Sequence, residues 1–210
     1  MTRAWMNWSS GKDSAYALQL ARATPGLSVT GLLTTVNAEA DRVAMHAVRR
    51  SLLHAQADAL GLPLHVVELP APCPNDVYQQ RMAAAVDAAL AEGVERMVFG
   101  DLYLEDVRAY REAMFADTAI RPIFPLWGRP TAQLARQMID DGLRAVLTCV
   151  DPAQVPAALA GRWYDEQLLA DLPPTADPCG EHGEFHTFVV DGPGFARPLD
   201  VRVGEIVERD

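Results

Sequence analysis

The sequence predicts an α/β fold: a mostly parallel sheet wrapped by helices, followed by a smaller lobe. Two observations carry this reading. Short apolar runs rich in β-branched or aromatic residues alternate with helix-length stretches, the pattern of βαβ units around a parallel sheet. After PLWGRP (125–130) the alternation loosens and ends in a polar segment rich in Pro and Gly, DLPPTADPCGEHGEFHTFVVDGPGF. That composition suits a functional loop better than a core. A boundary is expected near residue 127, with an α/β unit at 1–127 and an α+β lobe at 128–210.

The expected strands are AWMNW (4–8), SVTGLLTTV (28–36), LHVVEL (64–69), RMVFGD (96–101) and IRPIFPL (120–126). Helices are expected between them at 12–22, 42–60, 76–92 and 105–117. Gly61-Leu62-Pro63 should close the second helix, and Asn75 or Asp76 should cap the third. The second lobe should hold a helix at 131–140, a strand at 143–150, a helix near 163–170 and the strand FHTFVV.

Half of the 210 residues are apolar, enough for a packed core. The net charge of −10 opposes non-specific nucleic-acid binding, which rests on neutralised phosphates. The three cysteines form no CxxC pair, so neither a disulfide framework nor a cysteine-built metal site is expected. The N-terminal MTRAWMNW has no apolar signal region, and no apolar run is long enough to span a bilayer. These features predict a cytoplasmic protein with no membrane partner.

Lys12, the only lysine among 18 basic residues, lies in NWSSGKDSAYAL (7–18), where the first strand gives way to the first helix. Free N–H groups at a helix start attract anions, and small residues let a phosphate approach the backbone. Ser9, Ser10 and Ser14 add hydroxyls, Gly11 adds room and Lys12 adds a point charge. A Walker A loop is excluded: it needs Gly where Met6 stands and Ser or Thr where Asp13 stands. A plain strand-to-helix turn, with Asp13 favouring the helix dipole, is the structural alternative.

Two other stretches stand out. FGDLYLEDVRAYRE (99–112) places Gly100 and Asp101 at the end of a predicted strand, where ligands lie in open α/β sheets. A βα turn capped by Asp is the alternative. In DPCGEHGEFHTF (177–188), Glu181 and Glu184 lie three residues apart in a glycine-spaced loop, with His182 and His186 nearby. Paired carboxylates raise one pKa, which suits proton transfer near neutrality or the holding of an ammonium ion. A solvated acidic turn is the alternative. Zinc is disfavoured, since neither HExxH nor paired Cys/His spacing is present.

The pattern S-[GS]-G-x-D-S resembles the PP-loop of the N-type ATP pyrophosphatases, with Ser10 where the commonest form has Gly. Together with Met45-His46, FGDLYLEDVR, FPLW (124–127) and the late loop, it makes nearly the whole chain resemble the diphthine–ammonia ligase family. The resemblance implies a doubly wound, Rossmann-like sheet of the adenine nucleotide alpha hydrolase type. It also implies a reaction: ATP activates a carboxylate as an acyl-adenylate with loss of pyrophosphate, and ammonia displaces AMP to give an amide. The eukaryotic and archaeal branch carries E-G-G-E-[FY]-E-T in the late loop. Here the loop reads Glu181-His182-Gly183-Glu184-Phe185-His186-Thr187, which looks like a bacterial branch. ATP use carries over, whereas the identity of the carboxylate, diphthine or another, stays open.

On that resemblance, Ser9, Ser10, Gly11, Lys12, Asp13 and Ser14 would hold the phosphates, with Lys12 offsetting the charge of the leaving pyrophosphate. Asp13 would cap the helix or help hold Mg²⁺. Thr34 and Thr35 would face adenine or ribose, Gly100 and Asp101 the α-phosphate or ribose, and Arg108 the adenylate. Glu181, Glu184 and His186 would handle the acyl substrate or the amine, and His46 would line the pocket. Lys12→Ala should then abolish turnover while the fold survives, as expected of an exposed loop lysine. Cys73 with Cys179 could imitate the cysteine pair of tRNA thiolases. The implied partners are ATP, Mg²⁺, ammonia and a carboxylate substrate, with a homodimer left open. A tRNA-modifying enzyme, a nucleotide hydrolase and a non-catalytic nucleotide sensor remain alternatives.

Overall fold

The computed structural model describes residues 1–39, 42–43 and 48–208. His46 lies outside the described residues. In chain order the elements are β1 (Thr2–Asn7), α1 (Lys12–Ala23), β2 (Leu27–Asn37), β3 (Arg42–Val43), α2 (Arg50–Leu60), β4 (Leu64–Leu69), α3 (Asn75–Ala91), β5 (Arg96–Val98), α4 (Glu105–Phe115) and β6 (Arg121–Ile123). There follow α5 (Thr131–Asp140), β7 (Arg144–Val150), a 3₁₀ turn (Ala157–Leu159), α6 (Glu166–Asp171) and β8 (Phe185–Asp191).

Five strands form a parallel sheet in the order β4-β2-β1-β5-β6. The two-residue β3 adds an antiparallel pair at the end of β2. The fold is therefore α/β and Rossmann-like. From β1 the chain winds outward through β2 and β4, then crosses to β5 and β6. The reversal places a switch point between β1 and β5, and ligands of such sheets lie there, outside the carboxyl ends of the strands.

Alternation along the strands sends side chains to two covered faces. Ala4, Met6, Leu32 and Val36 join one apolar cluster with α1, α2 and α5. Trp5, Leu33, Val67 and Met97 join a second with α3 and Phe115 of α4. The first cluster continues into the later lobe through Ala145, Leu147, Leu168, Phe185 and Val189. Helix α1 thus lies between the sheet and the antiparallel β7–β8 pair, which explains why seven of its residues are buried, polar Lys12 and Ser14 included.

The structure corrects two sequence expectations. The stretch 42–60 is not one helix: Arg42–Val43 is a strand and the helix begins at Arg50. Neither Asn75 nor Asp76 caps α3; the cap position is Pro74, with no side-chain cap bond. Gly61 does close α2, in the left-handed conformation and with its N–H donated to Asp58 O. No described helix is long and apolar enough to cross a membrane.

Candidate nucleotide and ligation site

Residues 8–14 run from the end of β1 into α1. Ser10 adopts φ 70°, the left-handed region that a non-glycine residue rarely enters. Its carbonyl accepts the N–H of Val189 at 3.0 Å and Nε2 of Gln56 at 3.1 Å. Gly11, the N-cap of α1, offers no side chain to the first-turn N–H groups, which a helix start leaves without intrahelical partners. The Lys12 N–H instead donates to Thr187 Oγ1 at 3.1 Å. Ser14 Oγ donates to Gly11 O, and the Ser9 hydroxyl meets Ser14 Oγ at 3.1 Å. Strand β8 therefore shapes the loop from outside.

Gly100 lies directly opposite. A Cβ there would fall 2.9 Å from Asp13 C and Ser14 N, inside any tolerated contact. The loop after β5 thus closes on the start of α1, and only glycine fits.

Lys12 is not the exposed loop lysine expected from sequence. It is 2% exposed, and its ammonium turns toward the second lobe. Nζ donates to Asp13 Oδ2 at 2.8 Å and Oδ1 at 3.0 Å and to the carbonyl of Cys179, near the rings of Tyr164 and Phe185. Burial works to lower its pKa, but Asp13, with Cys179 and Glu181 also nearby, outweighs burial and raises it. Both Asp13 oxygens are engaged by Lys12. Among the described residues, no group of three or more His, Cys, Asp or Glu is arranged to hold a metal ion.

The two late-loop glutamates differ. Glu184 is buried, and its carboxylate accepts the N–H of Asp177 at 2.7 Å and of His182 at 2.9 Å. Through these two bonds it braces the loop. Glu181 is partly exposed, and its pKa is pushed up to about 7, first by desolvation and then by the charge of Asp13. The expected pKa rise therefore occurs, but burial is its main cause. His186 is shifted downward by burial and by the Lys12 charge, so its imidazole is neutral at physiological pH. Tyr103, in the loop after β5, meets His182 Nε2 through its hydroxyl at 2.9 Å and ties the two loops together. His182 has ordinary backbone geometry, so a side chain is tolerated there, whereas Gly180 and Gly183 have positive φ.

The other candidates divide. Thr34 and Thr35 point to opposite faces of β2, so they cannot both face one ligand. Thr34 Oγ1 is buried without a partner, as is Ser10 Oγ. Thr34 follows Leu33, whose carbonyl accepts the Trp8 N–H at 2.7 Å, so it lies beside the loop. These two orphaned hydroxyls and the open helix start fit a polyphosphate nucleotide. Asp101 has a raised pKa, chiefly from burial, which Arg111 at 3.9 Å opposes. Arg108 instead pairs with Glu112 at 2.8 Å and lies over the rings of Phe124 and Trp127. Cys179 is buried, its thiol pushed up to about 12 by desolvation, while Cys73 packs with the cluster on the other face of the sheet. No cysteine pair forms.

Sequence reasoning missed Gln56, Thr187, Tyr103 and Arg111. Their roles depend on contacts between distant segments, which no local motif marks.

Comparison with known proteins agrees with this arrangement. A family model described as the diphthamide synthase N-terminal domain matches residues 2–122, and one described as the diphthamide synthase C-terminal domain matches residues 130–209. The chain belongs to this family. Among similar proteins, the diphthine–ammonia ligase of Danio rerio is 25% identical over 95% of this chain and 86% of its own length. That of Homo sapiens is 24% identical over 95% of this chain and 82% of its own. A crystal structure described as a predicted subunit of tRNA methyltransferase from Methanocaldococcus jannaschii is also similar. It has a TM-score of 0.42 and 17% identity over 69% of this chain and 77% of its own. The PP-loop and the late loop fall in different halves of the family, one in each matched domain.

Proposed function

We propose that this chain is an ATP-dependent amide ligase. Its carboxylate substrate displaces pyrophosphate from ATP to give an acyl-adenylate. Ammonia then displaces AMP, leaving the amide and releasing one proton. The observation that carries this reading is Glu181: a partly exposed carboxylate with a pKa of about 7, beside the ion pair of buried Lys12 and partly exposed Asp13 at a sheet switch point. A group that titrates near neutrality can accept the proton that the attacking amine gives up.

In this reading residues 1–127 supply the nucleotide side and residues 128–210 the substrate side. Ser10, Ser14 and Thr34 hydroxyls and the α1 start bind phosphate or ribose, with Gly100 and Asp101 opposite. Bound Mg²⁺ would neutralise phosphate charge, with Asp13 as a candidate protein ligand once it is released from Lys12. Lys12 holds the late loop against the PP-loop while adding positive potential to the site. The name of the relatives makes diphthine the first carboxylate to test.

The test is product identity. The protein is incubated with ATP, Mg²⁺, ammonium and a carboxylate panel, and AMP and pyrophosphate are followed. Amide formation with stoichiometric AMP and pyrophosphate supports the reading; ADP and phosphate as products would reject it.

A further inference from the structure

Gln56 is fully buried in α2, yet all three of its hydrogen-bonding contacts lie outside that helix. Its Oε1 accepts the indole N–H of Trp8 at 2.9 Å. Its Nε2 donates to Ser10 O at 3.1 Å and to Val189 O at 2.7 Å. One amide therefore joins the end of β1, the nucleotide loop and strand β8. The Ser10 carbonyl it grips belongs to the one non-glycine residue with positive φ among the described residues.

We infer that Gln56 is a positioning residue for nucleotide binding, holding Ser10 in the left-handed conformation that opens the loop to phosphate. The inference rests on the nucleotide reading above. Left alone, a serine seldom visits this region, whereas glycine enters it about as readily as the ordinary one. With Ser at position 10, the loop needs an external brace; with Gly it would need much less. Gln56 and the Val189 N–H are the two donors in place to supply it.

The apparent Kd of a ligand rises as the competent fraction of its site falls. Only a few per cent of non-glycine residues have positive φ. Gln56→Met should therefore raise the Kd for α,β-methylene-ATP with Mg²⁺ by roughly tenfold in the chain with Ser10, allowing for the remaining Val189 bond. In a Ser10→Gly parent the same change should cost only about twofold. Each loss is read by calorimetry against its own parent, which cancels the orphaned Trp8 N–H common to both.

Rescue of binding by Ser10→Gly is the expected result, since a merely structural role for Gln56 would weaken both parents alike. Equal losses in the two parents, with thermal unfolding showing folded protein, would overturn the inference and leave the ligase reading intact. Failure of the wild-type chain to bind the analogue would remove the nucleotide reading, and this inference with it. Should Gln56→Met not fold, Gln56→Asn, which shortens the reach while keeping the amide, runs the same comparison.

Discussion

Replacing Lys12 by Met tests the claim that this lysine is buried structure as well as chemistry. Met keeps an unbranched stem of similar length and removes the charge and its donors. Three bonds are lost: two to Asp13 and one to the Cys179 carbonyl. Breaking a buried charge pair by removing one partner costs about 3–5 kcal/mol. Asp13 is 25% exposed and can turn toward water, so the lower end, about 3 kcal/mol, applies. For a chain of this size that is a fall in Tm of roughly 6–12 °C. Urea unfolding and calorimetry measure it directly. A second effect goes with it: the Lys12 charge now holds the Glu181 pKa down, so its removal should raise that pKa, visible by carbon NMR of labelled glutamate. A loss below about 1 kcal/mol, as for an exposed pair, together with an unmoved Glu181, would refute the burial argument.

Four other outcomes are expected. If Glu181 acts as a base, the rate of amide formation should rise through pH about 7 as it deprotonates; Glu181→Gln should remove that limb and most of the activity. The same group gives a stability test. Folded Glu181 keeps its proton to about pH 7, whereas the unfolded chain releases it near 4.5, so stability should fall as pH rises through that window, and Glu181→Gln should flatten this slope in urea titrations. Glu184→Gln should cost about 1.5–3 kcal/mol by weakening two charge-assisted bonds to backbone N–H groups, with little change in the pH profile of activity. Gly100→Ala should displace the start of α1 and abolish binding of the ATP analogue, because its Cβ would meet backbone that cannot swing aside; unchanged affinity would contradict the observed packing.

Much of the frame was legible because it is local. The alternation of apolar runs with helical stretches gave the parallel sheet, and SSGKDS marked the β1–α1 junction. The sequence could not show where Lys12 points. Its direction depends on Asp13 beside it and on Cys179, Tyr164 and Phe185, all remote in the chain. Nor could spacing separate Glu181 from Glu184. They lie three residues apart, yet one is a buried brace and the other a partly exposed titrating group, a difference made by packing of the loop against its surroundings. The departure at Ser10 was visible as a letter. Its meaning, a strained backbone held by Gln56 and β8, needed contacts across 46 and more residues. Helix α2 was overextended because the residues before Arg50 are compatible with helix, and propensity alone does not mark the short β3 pairing.

The bond from the Lys12 N–H to Thr187 joins residues 175 apart. The β1–α1 loop is thus set by a strand made long after it. Closing so long a loop adds little entropy cost beyond that of a shorter one, since the cost grows only with the logarithm of length. The consequence lies in timing. A nascent chain stalled after the parallel sheet would hold the SSGKDS segment without β8, with Ser10 free to relax and Lys12 without the Cys179 carbonyl. In the nucleotide reading, competence would then arrive only once β8 has been made and has paired with β7.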